Sequence, residues 1–176
     1  MTRQAGAGLL VVPNASPYER GKDAERLELC VSRAAEAGAI LAYVNMVGGQ
    51  DELVFDGDSI IVDPAGTLLA RGPQFAEALI VADLDLPNAD LGLQLGDAPA
   101  DARDGTRMTI HRVALRDGPP AAGQALSAAD AGDEPGPVWP RLDPLAEVYA
   151  ALVTGVRDYV RKNRFRTVNP RAVRRH

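Results

Sequence analysis

Apolar residues recur with a regular period in two stretches of the chain, residues 8–93 and 141–163, whereas residues 94–140 between them carry no sustained period. The first stretch opens with the apolar run GLLVVP at residues 8–13, which predicts a buried strand. Apolar positions then follow helical spacing over residues 22–38, and the glycine that closes this segment is a suitable C-cap. A strand followed by a helix favours an α/β fold.

Several short apolar runs follow the predicted helix. We predict strands at residues 40–47, 53–55, 59–62, 67–70 and 78–84. The dipeptide Asp56-Gly57 predicts a hairpin between the second and third of these strands, and residues 63–66 (DPAG) predict another turn. The fold class is therefore α/β, with hairpins at one end of the sheet. Two or three buried strands and one helix make a thin core, and buried strands need cover on both faces.

The middle stretch, residues 94–140, is rich in Ala, Asp, Gly and Pro. Such a composition buries too little apolar surface to offset the entropy of ordering the chain, so we predict a flexible linker. Residues 108–115 (MTIHRVAL) are the exception, because their alternating pattern is compatible with one more strand.

A second helix is predicted at the end of the patterned sequence. Asp143 is a good N-cap, Pro144 occupies the first helical position and Glu147 lies in the first turn. One face of this helix is apolar and comprises Leu145, Val148, Tyr149, Leu152, Val156, Tyr159 and Val160. A face of this kind needs a partner surface.

Composition and charge narrow the class of protein. The chain has 176 residues and a formal net charge of −5, which argues against a general nucleic-acid-binding surface. Its single cysteine excludes an intrachain disulfide. No apolar run approaches the roughly 18 residues of a membrane span, and the N-terminal sequence lacks the apolar region of a secretory signal. We therefore expect a cytoplasmic protein without membrane or nucleic-acid partners.

Few residues are candidates for catalysis. Cys30 lies on the apolar stripe of the first helix with no group placed to lower its pKa, which favours a buried structural thiol over a nucleophile. His111 and His176 are the only histidines, and their positions do not predict a metal site. Ser16 lacks the GxSxG context of a nucleophilic serine. It reads as a turn serine, although a role as a ligand-binding hydroxyl stays open.

Polar residues concentrate near residues 14–22 and 45–57, which follow predicted strands. Strand ends that open into glycine-rich loops are where α/β proteins place their sites. An ordinary turn explains the composition equally well, so the residues themselves indicate a possible polar site and no specific reaction.

Two stretches resemble a known family. NASPYERGK at residues 14–22 and AYVNMVGGQDELVFDGDSIIVDPAGTLLARGPQF at 42–75 closely resemble the glutaminase domain of glutamine-dependent NAD(+) synthetases, within the nitrilase (carbon–nitrogen hydrolase) superfamily. EVYAALVTGVRDYVRKNRFRTV at 147–168 resembles the first helix of their synthetase domain. The resemblance covers about residues 6–93 and resumes in this last segment.

The resemblance implies a domain organisation. It implies a partial nitrilase-like α-β-β-α sandwich at residues 1–93, a flexible linker at 94–140, and the first, amphipathic helix of the synthetase domain at 141–168. Residues 169–176 depart from the family and are interpreted as an aberrant tail. Read one base forward, their codons are compatible with the sequence ILGLSGGI, the start of a phosphate-binding loop, and we therefore hypothesise a frameshift near residue 168.

The resemblance also implies a reaction and its partners. Family members hydrolyse glutamine through a Glu–Lys–Cys triad and pass ammonia to a domain that uses ATP and Mg²⁺ to amidate deamido-NAD. They assemble as homo-oligomers. The matching positions imply that Ser16 and Lys22 help to hold glutamine, and a hydroxyl and a cation suit an α-amino acid head group. Cys30 does not match the family nucleophile, so we expect no catalytic residue in this chain.

The resemblance also leads to an expectation for the isolated chain. We expect a fragment of such a synthetase that folds marginally and has neither glutaminase nor synthetase activity. A fragment of a stand-alone nitrilase-like amidase is an alternative, against which the helix at residues 147–163 speaks. A non-catalytic interaction module within an oligomer is another.

Overall fold

The computed structural model of the chain describes residues 2–86, 96–102, 104–113 and 136–169. The elements in these ranges are α1 (Thr2–Ala5), β1 (Leu9–Asn14), α2 (Lys22–Ala37), β2 (Ile40–Asn45), β3 (Val47–Gln50), β4 (Leu53–Asp56), β5 (Ile60–Val62), β6 (Leu68–Arg71), β7 (Gly96–Asp101), β8 (Arg107–Arg112) and α3 (Pro144–Lys162). None of the helices in these ranges is long and apolar enough to cross a bilayer.

A four-stranded mixed sheet forms the centre of the fold, with the strand order β1-β2-β5-β6. β1 and β2 run parallel and are joined through α2, whereas β5 and β6 continue the sheet as antiparallel strands. The core lies between α2 and this sheet. It contains Cys30, Ala34, Leu41, Tyr43, Ile60 and Val62. The α/β class predicted from the sequence is confirmed.

The C-terminal end of α2 follows its predicted cap. Gly38 adopts the left-handed conformation with φ of 64°, and its N–H donates to the carbonyl oxygen of Ala34 at 2.9 Å. Glycine reaches this conformation without steric cost and therefore ends helices in this way.

The predicted strand at residues 8–13 forms, but it is not fully buried. Leu9 is 36% exposed and Val11 is 53% exposed. Leu10 and Val12, which alternate with them, pack against the core, so one face of β1 is covered in the described structure and the other face is exposed. An apolar run does not show whether one or both faces of a strand are covered, and this strand is therefore less buried than the sequence predicts.

The predicted hairpin at Asp56-Gly57 is wrong. β4 pairs with β3, whereas β5 pairs with β2 and β6 in the other sheet, so these two residues connect two different sheets. The tight turn of this region is Asp51-Glu52, which joins β3 to β4. The predicted turn at residues 63–66 does join β5 to β6, and Asp63 stabilises it by accepting a hydrogen bond from the N–H of Thr67 at 2.7 Å.

The apolar run at residues 78–84 does not form the predicted strand. Leu79 is 85% exposed and Val81 is 69% exposed. Residues 136–139 instead run beside β6, where the N–H of Arg71 donates to Pro137 and the N–H of Trp139 donates to Arg71. Backbone groups from a distant part of the sequence therefore form hydrogen bonds with the backbone N–H and carbonyl oxygen of Arg71.

Part of the expected linker has regular structure. β7 and β8 form an antiparallel hairpin with six paired positions, from Gly96↔Arg112 to Asp101↔Arg107. The strand expected at residues 108–115 is present but ends at Arg112, and β7 has no counterpart in the prediction because its sequence, GDAPAD, is typical of turns. The rest of the expected linker, apart from residues 136–140, lies mainly outside the described residues.

The last helix begins as its capping sequence predicts. The Asp143 carboxylate accepts hydrogen bonds from the N–H groups of Leu145 and Ala146 at 3.0 and 3.1 Å, and Pro144 follows at the first position. These bonds satisfy donors that have no partner within the helix.

The face with which α3 packs was not predicted. Its buried residues are Glu147, Ala151 and Thr154, whereas several residues of the predicted apolar face are exposed: Leu145, Tyr149, Leu152, Val156 and Tyr159. The apolar stripe exists, but it faces away from the surface on which the helix rests.

Close backbone contact explains this orientation. The helix rests on β3, where a Cβ added to Gly49 would lie 3.1 Å from the Cα of Gly155. The N–H of Gly49 donates to Asp158 at 2.7 Å, and Lys162 Nζ donates to the Gly49 carbonyl oxygen at 2.6 Å. Glycines and two polar contacts therefore hold α3 by its polar face.

Candidate functional site

An open cleft of about 1000 Å³ runs along α2 and β1, and both residues predicted to bind a ligand line it. Ser16 lies in the loop after β1, and Lys22 is the first residue of α2. Asn14, Glu25 and Tyr43 also line the cleft. The structure thus places the two predicted residues on the lining of one concave surface.

A buried asparagine fixes the backbone of the Ser16 loop. The N–H of Ser16 donates to Asn45 Oδ1 at 2.9 Å. The amide nitrogen of Asn45 in turn donates to the Gly57 carbonyl oxygen at 3.0 Å and lies 3.3 Å from Asp56 Oδ1. The polar stretches at residues 14–22 and 45–57 therefore meet, and their contacts hold the loop that carries Ser16.

Lys22 has an accessible ammonium group. Its side chain is 34% exposed, and Nζ lies 3.4 Å from a carboxylate oxygen of Glu19. Exposed ion pairs of this kind are worth about 0–1 kcal/mol because water competes for both charges. A ligand carboxylate can therefore replace Glu19 at little cost.

A buried network of charges lies behind the cleft. Arg26 makes a bidentate pair with Asp56, with both distances at 3.0 Å, and lies 3.6 Å from Asp58. Arg71 makes a second bidentate pair with Asp58, at 2.6 and 2.8 Å. Burial raises the pKa of Asp58, although hydrogen bonding and charge from Arg71 and the charge of Arg26 favour its ionised form.

The network continues to the segment before α3. Asp23, whose side chain is only 2% exposed, lies 3.8 Å from Arg71 and forms an ion pair with Arg141. Three aspartates and three arginines thus face one another in the fold. The sequence does not reveal this network, because Asp56-Gly57-Asp58 has the pattern of an exposed turn. The combination of several Asp and Arg residues among apolar runs was the only available indication.

Cys30 is buried, as the sequence predicts. It is 4% exposed within the core, and burial raises its pKa while the charge of Arg26 opposes that effect. A buried protonated thiol is a poor nucleophile.

The histidines do not form a metal centre in the described part of the chain. His111 is exposed on β8, and its Nδ1 lies 2.6 Å from Asp97 on β7. His176 lies outside the described residues. Among the side chains that the structure describes, no group of three or more His, Cys, Asp and Glu residues is arranged to hold a metal ion.

Comparison with known proteins gives consistent matches. Residues 1–91 match the carbon-nitrogen hydrolase family model. The chain is 38% identical to the glutamine-dependent NAD(+) synthetase of Xanthomonas campestris over 95% of its own length and 23% of that protein. It is 37% identical to the synthetase of Thermotoga maritima over 93% of its length and 27% of that protein. The chain therefore spans about a quarter of the length of these curated relatives.

A solved structure matches over the same extent. The glutamine-dependent NAD+ synthetase of Acinetobacter baumannii, in complex with ADP, aligns with a TM-score of 0.53 and 28% identity. The alignment covers 91% of this chain and 22% of that one. The match therefore extends past the first 91 residues into the second half of the chain.

Proposed function

Because the chain belongs to the carbon–nitrogen hydrolase family, we propose that its cleft forms part of a glutamine site, in which Ser16 and Lys22 hold the α-amino acid head group. The observation that carries this proposal is that both side chains line one cleft, next to a loop whose backbone is fixed by Asn45. The Lys22 ammonium would pair with the substrate carboxylate. The Ser16 hydroxyl would donate a hydrogen bond to that carboxylate or accept one from the substrate ammonium.

The proposed context is a glutamine-dependent NAD(+) synthetase. In it, glutamine hydrolysis would supply ammonia for the ATP-dependent amidation of deamido-NAD. The sheet β1-β2-β5-β6 with α2 would form part of an α-β-β-α sandwich, and α3 would be the first helix of the synthetase domain. Support comes from similarity to the two curated synthetases, which continues past the family match to nearly the whole chain.

We further propose that the 176-residue chain alone does not hydrolyse glutamine. Acyl transfer needs an activated nucleophile. The one cysteine, Cys30, is buried with a raised pKa, and Ser16 has no histidine or lysine among its hydrogen-bond partners in the described structure. In the described part of the chain, no cluster of carboxylate, histidine or cysteine side chains is arranged to hold the Mg²⁺ that accompanies ATP.

Glutamine titration of the 176-residue chain tests the proposed site. Amide spectra of the ¹⁵N-labelled chain should shift at Ser16 and Lys22 as L-glutamine is added. Ser16→Ala and Lys22→Met should each weaken binding about tenfold, because hydrogen bonds to charged groups contribute about 1.5–3 kcal/mol. Ser32→Ala and Arg161→Met change the same residue type or charge at exposed helical positions and should leave binding unchanged.

Two results would contradict this proposal. One is a glutamine response confined to residues away from the cleft. The other is equal binding by the wild-type chain and both cleft variants. Release of ammonia from glutamine by the purified chain, above a blank without protein, would separately contradict the predicted lack of activity.

A further inference from the structure

We propose that Arg141, which lies just before α3, is a positioning residue for the cleft and acts through Asp23 on the first turn of α2. This inference rests on the proposed glutamine site, because it identifies a residue outside the cleft that sets the geometry of Ser16 and Lys22. Arg141 itself is not proposed to touch the ligand.

The contact between Arg141 and Asp23 joins two distant parts of the sequence. Asp23 directly follows Lys22, and its carboxylate is almost fully buried. Arg141 is 45% exposed, so its guanidinium reaches this carboxylate from the surface. A buried carboxylate is stable in its charged form only when it is paired. Arg141 therefore helps to fix the turn of α2 from which the Lys22 side chain projects.

The same contact leads to Ser16 through a continuous series of polar neighbours. In order from the surface, the series is Arg141, Asp23, Arg71, Asp58, Arg26, Asp56, Asn45 and the backbone of Ser16. Neighbours in this series lie within 3.8 Å of each other. Both residues proposed to bind glutamine therefore lie next to this network.

Further contacts keep Arg141 in place. The N–H of Trp139 donates to the carbonyl oxygen of Arg71 at 3.2 Å, and the N–H of Leu142 donates to Gln74 Oε1 at 2.9 Å. Tyr18, in the same loop as Ser16, has a raised pKa because of burial and the neighbouring charge of Glu147 on α3. The segment before α3 is therefore attached to the body of the fold on both sides of Arg141, and α3 itself reaches the cleft loop.

Removing Arg141 changes the charge balance of the network. Among the residues that the structure describes, Arg71 at 3.8 Å would be the remaining cationic partner of Asp23, and Arg71 is already bound to Asp58 by two hydrogen bonds. We expect Arg71 to move toward Asp23, which would loosen the contacts that lead to Asn45. Coupling between sites typically changes affinity by about 5- to 150-fold, and we expect about a tenfold weaker affinity for glutamine.

The test compares Arg141→Met with Arg141→Lys in the 176-residue chain. In the absence of glutamine, Arg141→Met should shift the amide resonances of Ser16 and Lys22, and it should weaken glutamine binding about tenfold. Arg141→Lys keeps the charge and should restore most of the affinity. Arg161→Met, which removes an exposed charge at the other end of α3, should do neither.

A double variant tests whether Asp23 carries the effect. Asp23→Asn preserves the side-chain shape but removes the charge, so it should reproduce the amide shifts and the loss of affinity. In that background Arg141→Met should cause little further change, because the interaction between the two sites is already absent. If Arg141→Met fails to fold, Asp23→Asn tests the same coupling.

The outcomes separate this inference from the proposed function. If glutamine does not bind the wild-type chain, the proposed site is wrong, and unshifted Ser16 and Lys22 amides in Arg141→Met would then refute the coupling independently. If glutamine binds the wild-type chain, equal affinity in Arg141→Met or in Asp23→Asn overturns the inference. Additive losses in the double variant would also overturn it.

Discussion

Replacing Arg26 with methionine should destabilise the fold strongly. The Arg26 side chain is 5% exposed, and that of Asp56 is 3% exposed. Both guanidinium nitrogens of the pair lie 3.0 Å from carboxylate oxygens, and Asp58 lies 3.6 Å away. Arg26 also lies over the ring of Tyr43, with its guanidinium carbon 5.8 Å from the ring centroid. Methionine would fill much of the volume but leave Asp56 buried without its main partner.

The expected loss is a large part of the total stability. Removing one partner of a buried pair costs about 3–5 kcal/mol, because the remaining charge stays in a poorly solvated position. A domain is typically stable by about 5–15 kcal/mol. With a urea dependence of about 2 kcal/mol per molar, a loss of about 4 kcal/mol lowers the unfolding midpoint by about 2 M.

Urea unfolding followed by circular dichroism measures this loss directly. Arg33→Met is the matched control, because Arg33 pairs with Glu36 at 2.6 Å on the same helix but both side chains are about half exposed. Its loss should stay below about 1 kcal/mol. Asp56→Asn combined with Arg26→Met should be more stable than Arg26→Met alone. Equal losses in the two single arginine variants, or a loss below about 1 kcal/mol in Arg26→Met, would refute the reasoning.

Four further outcomes are expected. Asp143→Ala removes the carboxylate that accepts two N–H groups of α3 and should cost about 1 kcal/mol in urea unfolding; no change would show that the cap is not used in solution. Gly49→Ala places a Cβ 3.1 Å from the Cα of Gly155 and should weaken the contact with α3, seen as faster amide exchange there. Hydrogen bonds from Thr67 lower the pKa of Asp63 below 3.8, so the stability it contributes is present above that pH and is lost as pH falls through the lower folded value; carboxyl titration by NMR with a midpoint at or above 3.8 would contradict this. Cys30 should react with a thiol reagent only slowly until urea is added, and fast labelling of the folded chain would show that the thiol is accessible.

Local patterns predicted the elements whose geometry is set by a few neighbouring residues. Helical spacing and Gly38 gave α2 and its end, and Asp143-Pro144 gave the start of α3. The turn at residues 63–66 was predicted because an aspartate, a proline and a glycine fix it locally. In each case the determining hydrogen bonds lie within about five residues of the sequence.

Errors arose where distant residues decide the structure. Asp56-Gly57 has the sequence of a hairpin turn, yet Arg26 lies 30 residues away and draws Asp56 into the interior. Residues 78–84 have the composition of a strand, but residues 136–139 run beside β6 at Arg71. Periodicity carries no information on which segment pairs with which edge.

The candidate site also combines features that the sequence predicts with features that depend on distant residues. Ser16 and Lys22 were singled out by resemblance, and the structure brings both to one cleft. The contact between Arg141 and Asp23 spans more than a hundred residues of sequence and could not have been predicted from spacing. The packing face of α3 was also unpredictable, because glycine-mediated contact and two polar bonds outweighed its apolar stripe.

The way in which α3 is held has a consequence for the lifetime of the 176-residue chain in a cell. Leu145, Tyr149 and Leu152 are each more than 60% exposed along one side of the helix. Contiguous apolar patches of this kind favour aggregation, and quality-control chaperones and proteases act on destabilised chains that display them. A change that covers this stripe would therefore slow degradation without altering any contact inside the fold. The abundance of the 176-residue chain would then depend on the outer surface of α3 as much as on the packing of the core.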